Sequence, residues 1–133
     1  MSIFTPAELA YLQGQRIGRL ATTGPDGAPQ VRPVGFSVDP DTGAIDIGGY
    51  HNPDSQKWRN IVADGRVAFV VDDVVLDPWS PRAIEVRGVA ETLLEERSSA
   101  VPGAAPGVIR IRPQRILVFG VEPDGPGSRA VTH

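Results

Sequence analysis

The sequence predicts an all-β domain with minor α content: an antiparallel barrel decorated by two short helices. Three observations carry that reading. Apolar residues alternate along about six short segments, at the period expected of strands. Fifteen glycines and 13 prolines punctuate the chain with tight turns. The 133 residues fit one domain, and short connections between strands favour antiparallel pairing.

The elements follow in order. Thr5-Pro6-Ala7-Glu8 opens a helix: Thr5 caps it, Pro6 suits the first helical position, and Glu8 completes a capping box. Gly14 stops it. Arg16–Thr23 reads as a strand, and Gly24-Pro25-Asp26-Gly27 as a turn in which Pro fixes φ and Gly supplies φ > 0. Gln30–Val38 returns as a strand with Val34, Phe36 and Val38 on one face. Asp39–Gly43 turns again, and Ala44–Gly49 is a third strand. His51-Asn52-Pro53 breaks the pattern before a second helix from Ser55 to Ala63, whose apolar stripe is Trp58, Ile61 and Val62. Arg66–Val71 is a strand apolar on both faces. Asp72–Pro81 reads as a loop, and Ala83–Leu94 as a long alternating strand. Ser98–Gly107 is a surface loop, and Val108–Glu122 a strand pair or one bent strand interrupted by Pro113. The domain therefore spans residues 1–122, and residues 123–133 read as a flexible tail.

Composition narrows the function. A net charge of −3 argues against non-specific nucleic-acid binding. Without cysteine there is no disulfide framework, no thiolate catalysis and no Cys-based zinc site. No apolar run approaches the length of a membrane span, and the N-terminus lacks the basic and apolar regions of a secretory signal. These points fit a cytoplasmic protein. Strands apolar on both faces, Val67–Val71 and Ile116–Val121, exceed what one small barrel interior hides, which predicts a homodimer.

Conventional catalytic sets are missing. The histidines are His51 and His133, no Gly-x-Ser-x-Gly elbow is present, and no P-loop or Rossmann glycine pattern occurs. Asp72-Asp73 reads as a solvated carboxylate pair. An enzyme so equipped takes its reactive group from a cofactor.

Four features carry candidate site residues. Gly48 and Gly49 at a strand end, followed by Tyr50, would allow a ligand to approach the backbone closely. Ser55 stands at a helix start, where free N–H groups and the dipole attract anions, with Lys57 just inside. Asp54 opposes that reading, and spacing alone favours Asp54 or Ser55 as a mere helix cap, with Lys57 lying along the Trp58–Ile61 stripe. Pro33, within Val31-Arg32-Pro33-Val34, removes a ladder donor and marks an edge. That edge either meets a planar heterocycle or is simply protected, with Arg32 solvated. Trp79, between Pro78 and Pro81, closes over a ring or plugs its loop onto the barrel. Arg87 pairs with Glu85 or Glu91, or anchors an anion.

Taken in order, these segments resemble the pyridoxamine-phosphate-oxidase-like split-barrel flavoproteins, and within them the actinobacterial deazaflavin-dependent branch. The resemblance runs from Phe4 to Glu122. It rests on Gly18-Arg19-Leu20-Ala21-Thr22 with the Asp26-Gly27 turn, Val31-Arg32-Pro33-Val34, and Ser55-Gln56-Lys57-Trp58-Arg59-Asn60. It continues through Arg66–Asp73, Pro78-Trp79-Ser80-Pro81-Arg82, Ile84–Glu91 and Arg112-Pro113-Gln114-Arg115-Ile116. It implies a six-stranded antiparallel split barrel and a homodimer with the cofactor in a groove between subunits. The cofactor implied is F420, with FMN as the alternative. Carried over, Lys57 and Ser55 would hold the cofactor phosphate. Arg32, Pro33 and Val34 would line its ring beside Gly48, Gly49 and Tyr50, and Trp79 and Arg87 would approach from the barrel or the partner subunit. The implied activity is hydride transfer to a small conjugated molecule, with Tyr50, His51 or solvent as proton source. A cofactor- or haem-binding protein without turnover is the remaining alternative. The doubly basic phosphate site and C-terminal substrate segment of vitamin B6 oxidases have no counterpart in the sequence, which argues against that reaction.

Overall fold

In the computed structural model, which describes residues 2–132, one antiparallel sheet curls on itself. Helix α1 (Pro6–Gln13) starts at the predicted capping box, with Thr5 and Glu8 bonding reciprocally. Strands β1 (Ile17–Thr23) and β2 (Pro29–Gly35) form a hairpin across the Gly24–Gly27 turn. Two short strands follow, β3 (Ser37–Val38) and β4 (Ile45–Ile47), then a 3-10 turn at Asn52–Asp54 and helix α2 (Gln56–Ala63). The long strands β5 (Arg66–Leu76), β6 (Trp79–Leu93) and β7 (Val108–Phe119) and the short β8 (Arg129–Ala130) complete the chain.

The strand order is β2-β1-β5-β6-β7-β4-β3, with β8 beside β7. Strands β2 and β3, at opposite ends of this order, are neighbours in sequence, joined through Phe36. The segment expected as one strand therefore breaks at Phe36 and closes the sheet into a split barrel. The Phe36 ring points into the core and meets Phe69 edge-on, with centroids 5.1 Å apart. Gly18 makes that packing possible: a Cβ there would lie 2.2 Å from the Phe69 ring.

Inward side chains of β1, β5, β6 and β7 (Leu20, Phe69, Val71, Ile84, Val86, Ile109, Ile111, Ile116) form the core, joined by Tyr11 and Leu12 of α1 and Trp58 and Ile61 of α2. Both helices thus pack on the barrel interior. The opposite face keeps Ala68, Val70 and Leu117 half-exposed.

Three expectations are corrected. Asp72–Pro81 is no loop: β5 and β6 continue as a hairpin turning at Asp77-Pro78, because Val74, Val75 and Leu76 extend the strand and Asp73 pairs with Arg82 across it. Of the Asp72-Asp73 pair, Asp72 is solvated as expected and meets the exposed Arg19 at 2.7 Å, while Asp73 is half-buried and accepts from Arg82 and from the Tyr11 hydroxyl. The expected tail returns as β8, because Arg129 answers a buried charge: Glu8, fully buried, accepts from Arg129 at 2.7 and 3.0 Å. His133 lies outside the described residues. Val108–Phe119 is one strand; opposite Arg87 and Gly88 its register shifts, leaving Gln114 unpaired beside the donor-less Pro113. No helix is long and apolar enough to cross a membrane.

Candidate functional site

A cleft of about 550 Å³ opens where the first turn of α2 faces the β1–β2 hairpin, lined by Thr22, Gln30, Val31, Arg32, Ser55, Gln56 and Lys57. Strand β2 is an end strand whose residues alternate: Gln30, Arg32 and Val34 lie opposite Thr22, Leu20 and Gly18 of β1 and share the helix-facing side. Arg32 and Lys57, far apart in sequence, thereby face the same space.

Ser55 is the cap of α2. Its hydroxyl accepts from the Trp58 N–H at 3.3 Å and donates to the Asn52 carbonyl at 2.6 Å. The capping reading and the anion reading therefore hold together, since the backbone N–H groups of Gln56 and Lys57 stay free at the helix start. Lys57 is half-buried, which suits both a stem lying along the helix and a head facing the cleft. Its half-burial pushes its pKa below the usual lysine range, and the nearby Arg32 guanidinium pushes it further down. Neither cation makes an ion pair among the described residues. Seven other arginines, Arg19, Arg66, Arg82, Arg87, Arg110, Arg112 and Arg129, are each matched to a carboxylate within 2.8 Å, while Arg16, Arg59, Arg97 and Arg115 make no ion pair among the described residues either. Two unmatched, like-charged groups beside free helix N–H groups make a site that fits a phosphate.

Behind the cleft runs an amide network. Asn60, 2% exposed, donates through Nδ2 to Thr22 Oγ1 and to Gln30 Oε1, both at 2.9 Å. Its Oδ1 accepts from Gln56 Nε2 at 2.7 Å, and Gln56 Oε1 accepts from Arg59. Gln30, Gln56, Thr22 and Asn60 were not singled out in the sequence. The available signal was an Asn inside a helix's apolar face, next to Ile61.

The other candidates stand apart from the cleft lining. Pro33 pairs with Arg19 on the outer side of the hairpin, and Val34 is buried in the core. Gly48 and Gly49 serve packing within the chain: a Cβ at Gly48 would meet Ser98 at 2.3 Å, and one at Gly49 would meet the Asn52 amide at 2.7 Å. Tyr50 donates its hydroxyl to the Pro102 carbonyl at 2.9 Å. Trp79 sits at the tip of the β5–β6 hairpin, 70% exposed, so it does not plug a loop onto the barrel. Arg87 lies on the outer sheet face and pairs with Glu85 at 2.7 Å. Among the described residues no group of His, Asp and Glu is arranged to hold a metal ion.

Comparison with known proteins places these features in a lineage. A model of the pyridoxamine 5′-phosphate oxidase family matches residues 4–123. A 5a,11a-dehydrotetracycline/5a,11a-dehydrooxytetracycline reductase of Streptomyces rimosus is 43% identical over 122 residues, covering 91% of this chain and 86% of that protein. A conserved hypothetical protein of Mycobacterium tuberculosis superposes with a TM-score of 0.69 at 25% identity, over 98% of this chain and 93% of the other. An F420 reductase superposes with a TM-score of 0.62 at 26% identity, over 84% and 98% of the two chains.

Proposed function

The chain belongs to the pyridoxamine 5′-phosphate oxidase family and is an oxidoreductase, and on that premise we propose that it transfers a hydride between the deazaflavin coenzyme F420 and a small conjugated organic substrate. One observation carries the cofactor reading: Arg32 and Lys57, without carboxylate partners, face one cleft at the start of α2. The similarity to a 5a,11a-dehydrotetracycline/5a,11a-dehydrooxytetracycline reductase and to an F420 reductase supports the choice of an organic substrate and of the cofactor.

When bound, the cofactor supplies the hydride chemistry. The chain's own residues anchor and orient it. Arg32 and Lys57 hold the phosphate, and the N–H groups of Gln56 and Lys57 complete the anion site. Val31, exposed on β2, offers an apolar surface next to Arg32. No carboxylic acid lines the cleft, and the Tyr50 hydroxyl is engaged with Pro102. His51 is exposed and outside the cleft lining, so solvent is the proton source in this reading.

The functional unit in this reading is a cytoplasmic homodimer. Val74, Val75, Leu76 and Trp79 on the β5–β6 hairpin and Phe119 on β7 are exposed apolar side chains. They adjoin the half-exposed Ala68, Val70 and Leu117 on the outer sheet face. Burying this surface against a second copy removes it from water.

An FMN-dependent enzyme is the second reading. Two cations on one cleft suit a dianionic phosphomonoester as well as a phosphodiester. Titration of the protein with both cofactors decides, with F420 expected to bind tighter. FMN binding at least about tenfold tighter, worth about 1.4 kcal/mol, would overturn the F420 assignment.

A further inference from the structure

The cleft has a mechanical problem. Arg32 stands on β2, which hydrogen-bonds to β1 alone and has no strand on its other side. Lys57 stands on the first turn of α2. Two like charges facing each other across that gap push strand and helix apart; the ladder to β1 holds β2 along one edge, and among the described residues no backbone bond joins β2 to α2. The only side-chain hydrogen bond between β2 and α2 among the described residues runs from Asn60 to Gln30.

We propose that Asn60 is a positioning residue for the anion cleft, its carboxamide tying the end strand β2 and the first turn of α2 to β1 and so fixing the spacing of Arg32 and Lys57. The geometry is specific. Thr22 and Gln30 are direct cross-strand partners on the helix-facing side of the hairpin, so one buried amide reaches both acceptors at 2.9 Å. The same carboxamide accepts from Gln56, one residue before Lys57, at 2.7 Å. Gln56 in turn accepts from Arg59, whose other guanidinium nitrogen donates to the Asp54 carbonyl at 2.9 Å. Both walls of the cleft are thereby referred to one atom group that touches neither the anion nor solvent. An apolar residue at position 60 would fill the same space but leave the buried Thr22 hydroxyl and Gln30 without their shared donor. A buried amide there is explained by what it holds, since it must satisfy every polar atom it carries.

This inference rests on the phosphate reading of the cleft, and the test separates the two. Wild type, Asn60→Leu, Gln30→Leu and the double variant are titrated with F420 and its phosphate-free chromophore, and with FMN and riboflavin. The quantity read is the affinity ratio within each pair; for FMN and riboflavin it isolates the phosphate contact, and for F420 and its chromophore it reads the phosphodiester together with the chain attached to it. Gln30→Leu, at an exposed position, is expected to fold as wild type and to lower the ratio by about three- to tenfold, the effect of one hydrogen bond. Asn60→Leu should lower it at least as much, and the double variant no further, because both act through one tie. Losses that fall equally on the phosphate-free compounds would reduce Asn60 to a merely structural role and overturn the proposal. So would an unchanged ratio in Gln30→Leu and Asn60→Leu. Should Asn60→Leu not fold, the comparison of Gln30→Leu in the Arg32→Ala background decides: a tie that sets spacing has nothing left to set there, and the ratio should not fall again. A wild-type protein that binds both members of a pair equally would remove the phosphate reading itself, and this inference with it.

Discussion

Replacing Lys57 with Ala tests the site where its chemistry is concentrated. Lys57 is half-buried, faces Arg32, and makes no ion pair among the described residues. Its charge is therefore unmatched in the free protein and becomes matched only when an anion enters. A charged hydrogen bond in such a place contributes roughly 1.5–3 kcal/mol. Lys57→Ala should thus weaken F420 or FMN by about ten- to a hundredfold and riboflavin hardly at all. The free protein behaves in the opposite direction. Lys57 is depressed below the ordinary lysine value, chiefly by burial and secondly by Arg32, so the unfolded chain binds this proton more tightly. Stability of the free protein accordingly rises with pH between the folded and the ordinary value. Lys57→Ala removes that cost, so the free variant should melt no lower than wild type. Binding has the reverse sign: the anion needs the ammonium, and affinity falls as pH rises through the free-protein pKa of Lys57. In Lys57→Arg this alkaline decline should vanish. Isothermal titration across alkaline pH, with melting curves on the same preparations, reads all of these. Wild-type affinity for the phosphate-bearing cofactor in Lys57→Ala would refute the reasoning.

Three further outcomes follow from the packing. Arg129→Met leaves the fully buried Glu8 without its bidentate partner and should cost about 3–5 kcal/mol by denaturant unfolding, with Glu8→Gln in the same chain recovering most of it. Gly18→Ala drives a methyl into the Phe69 ring and should cost about 1–3 kcal/mol; a cost under about 0.5 kcal/mol, the level of a surface change, would mean that the ring moves freely. Sedimentation at micromolar concentration should report a dimer, and Trp79→Glu with Leu76→Glu should shift it towards the 14.2 kDa chain; a wild-type monomer would count against the assignment of the hairpin as an interface.

Much of the architecture was legible because its signals are local. The capping box at Thr5 and Glu8, the Gly24–Gly27 turn and the apolar run Val67–Val71 each fix an element without reference to the rest of the chain. Two misreadings share one cause, a local breaker overruled by a distant partner. Pro78 and Pro81 read as loop, but Asp73 and Arg82 pair across the strands and carry the hairpin outwards. Residues 123–133 read as tail from their Gly and Pro content, but the buried carboxylate of Glu8 draws Arg129 back to the first helix. Nothing near Arg129 in sequence announces an acid at position 8, so such a pairing emerges only once the fold has brought the ends together.

The site was half legible for a related reason. Ser55 and Lys57 lie on one helix start, and their spacing is visible in the sequence. The proposed anion site is not visible as a doubly basic pair in the sequence, because its second cation, Arg32, joins Lys57 only when the hairpin register is known. That register places Gly18, Leu20 and Thr22 opposite Val34, Arg32 and Gln30. A shift of one residue would turn Arg32 and Gln30 to the outer face, separating the two cations and leaving Asn60 with one acceptor instead of two. The anion site is thus a property of strand register before it is a property of its charges. A variant that alters the β1–β2 turn without touching any cleft residue, such as deletion of Ala28, should cost phosphate affinity even where the barrel still folds.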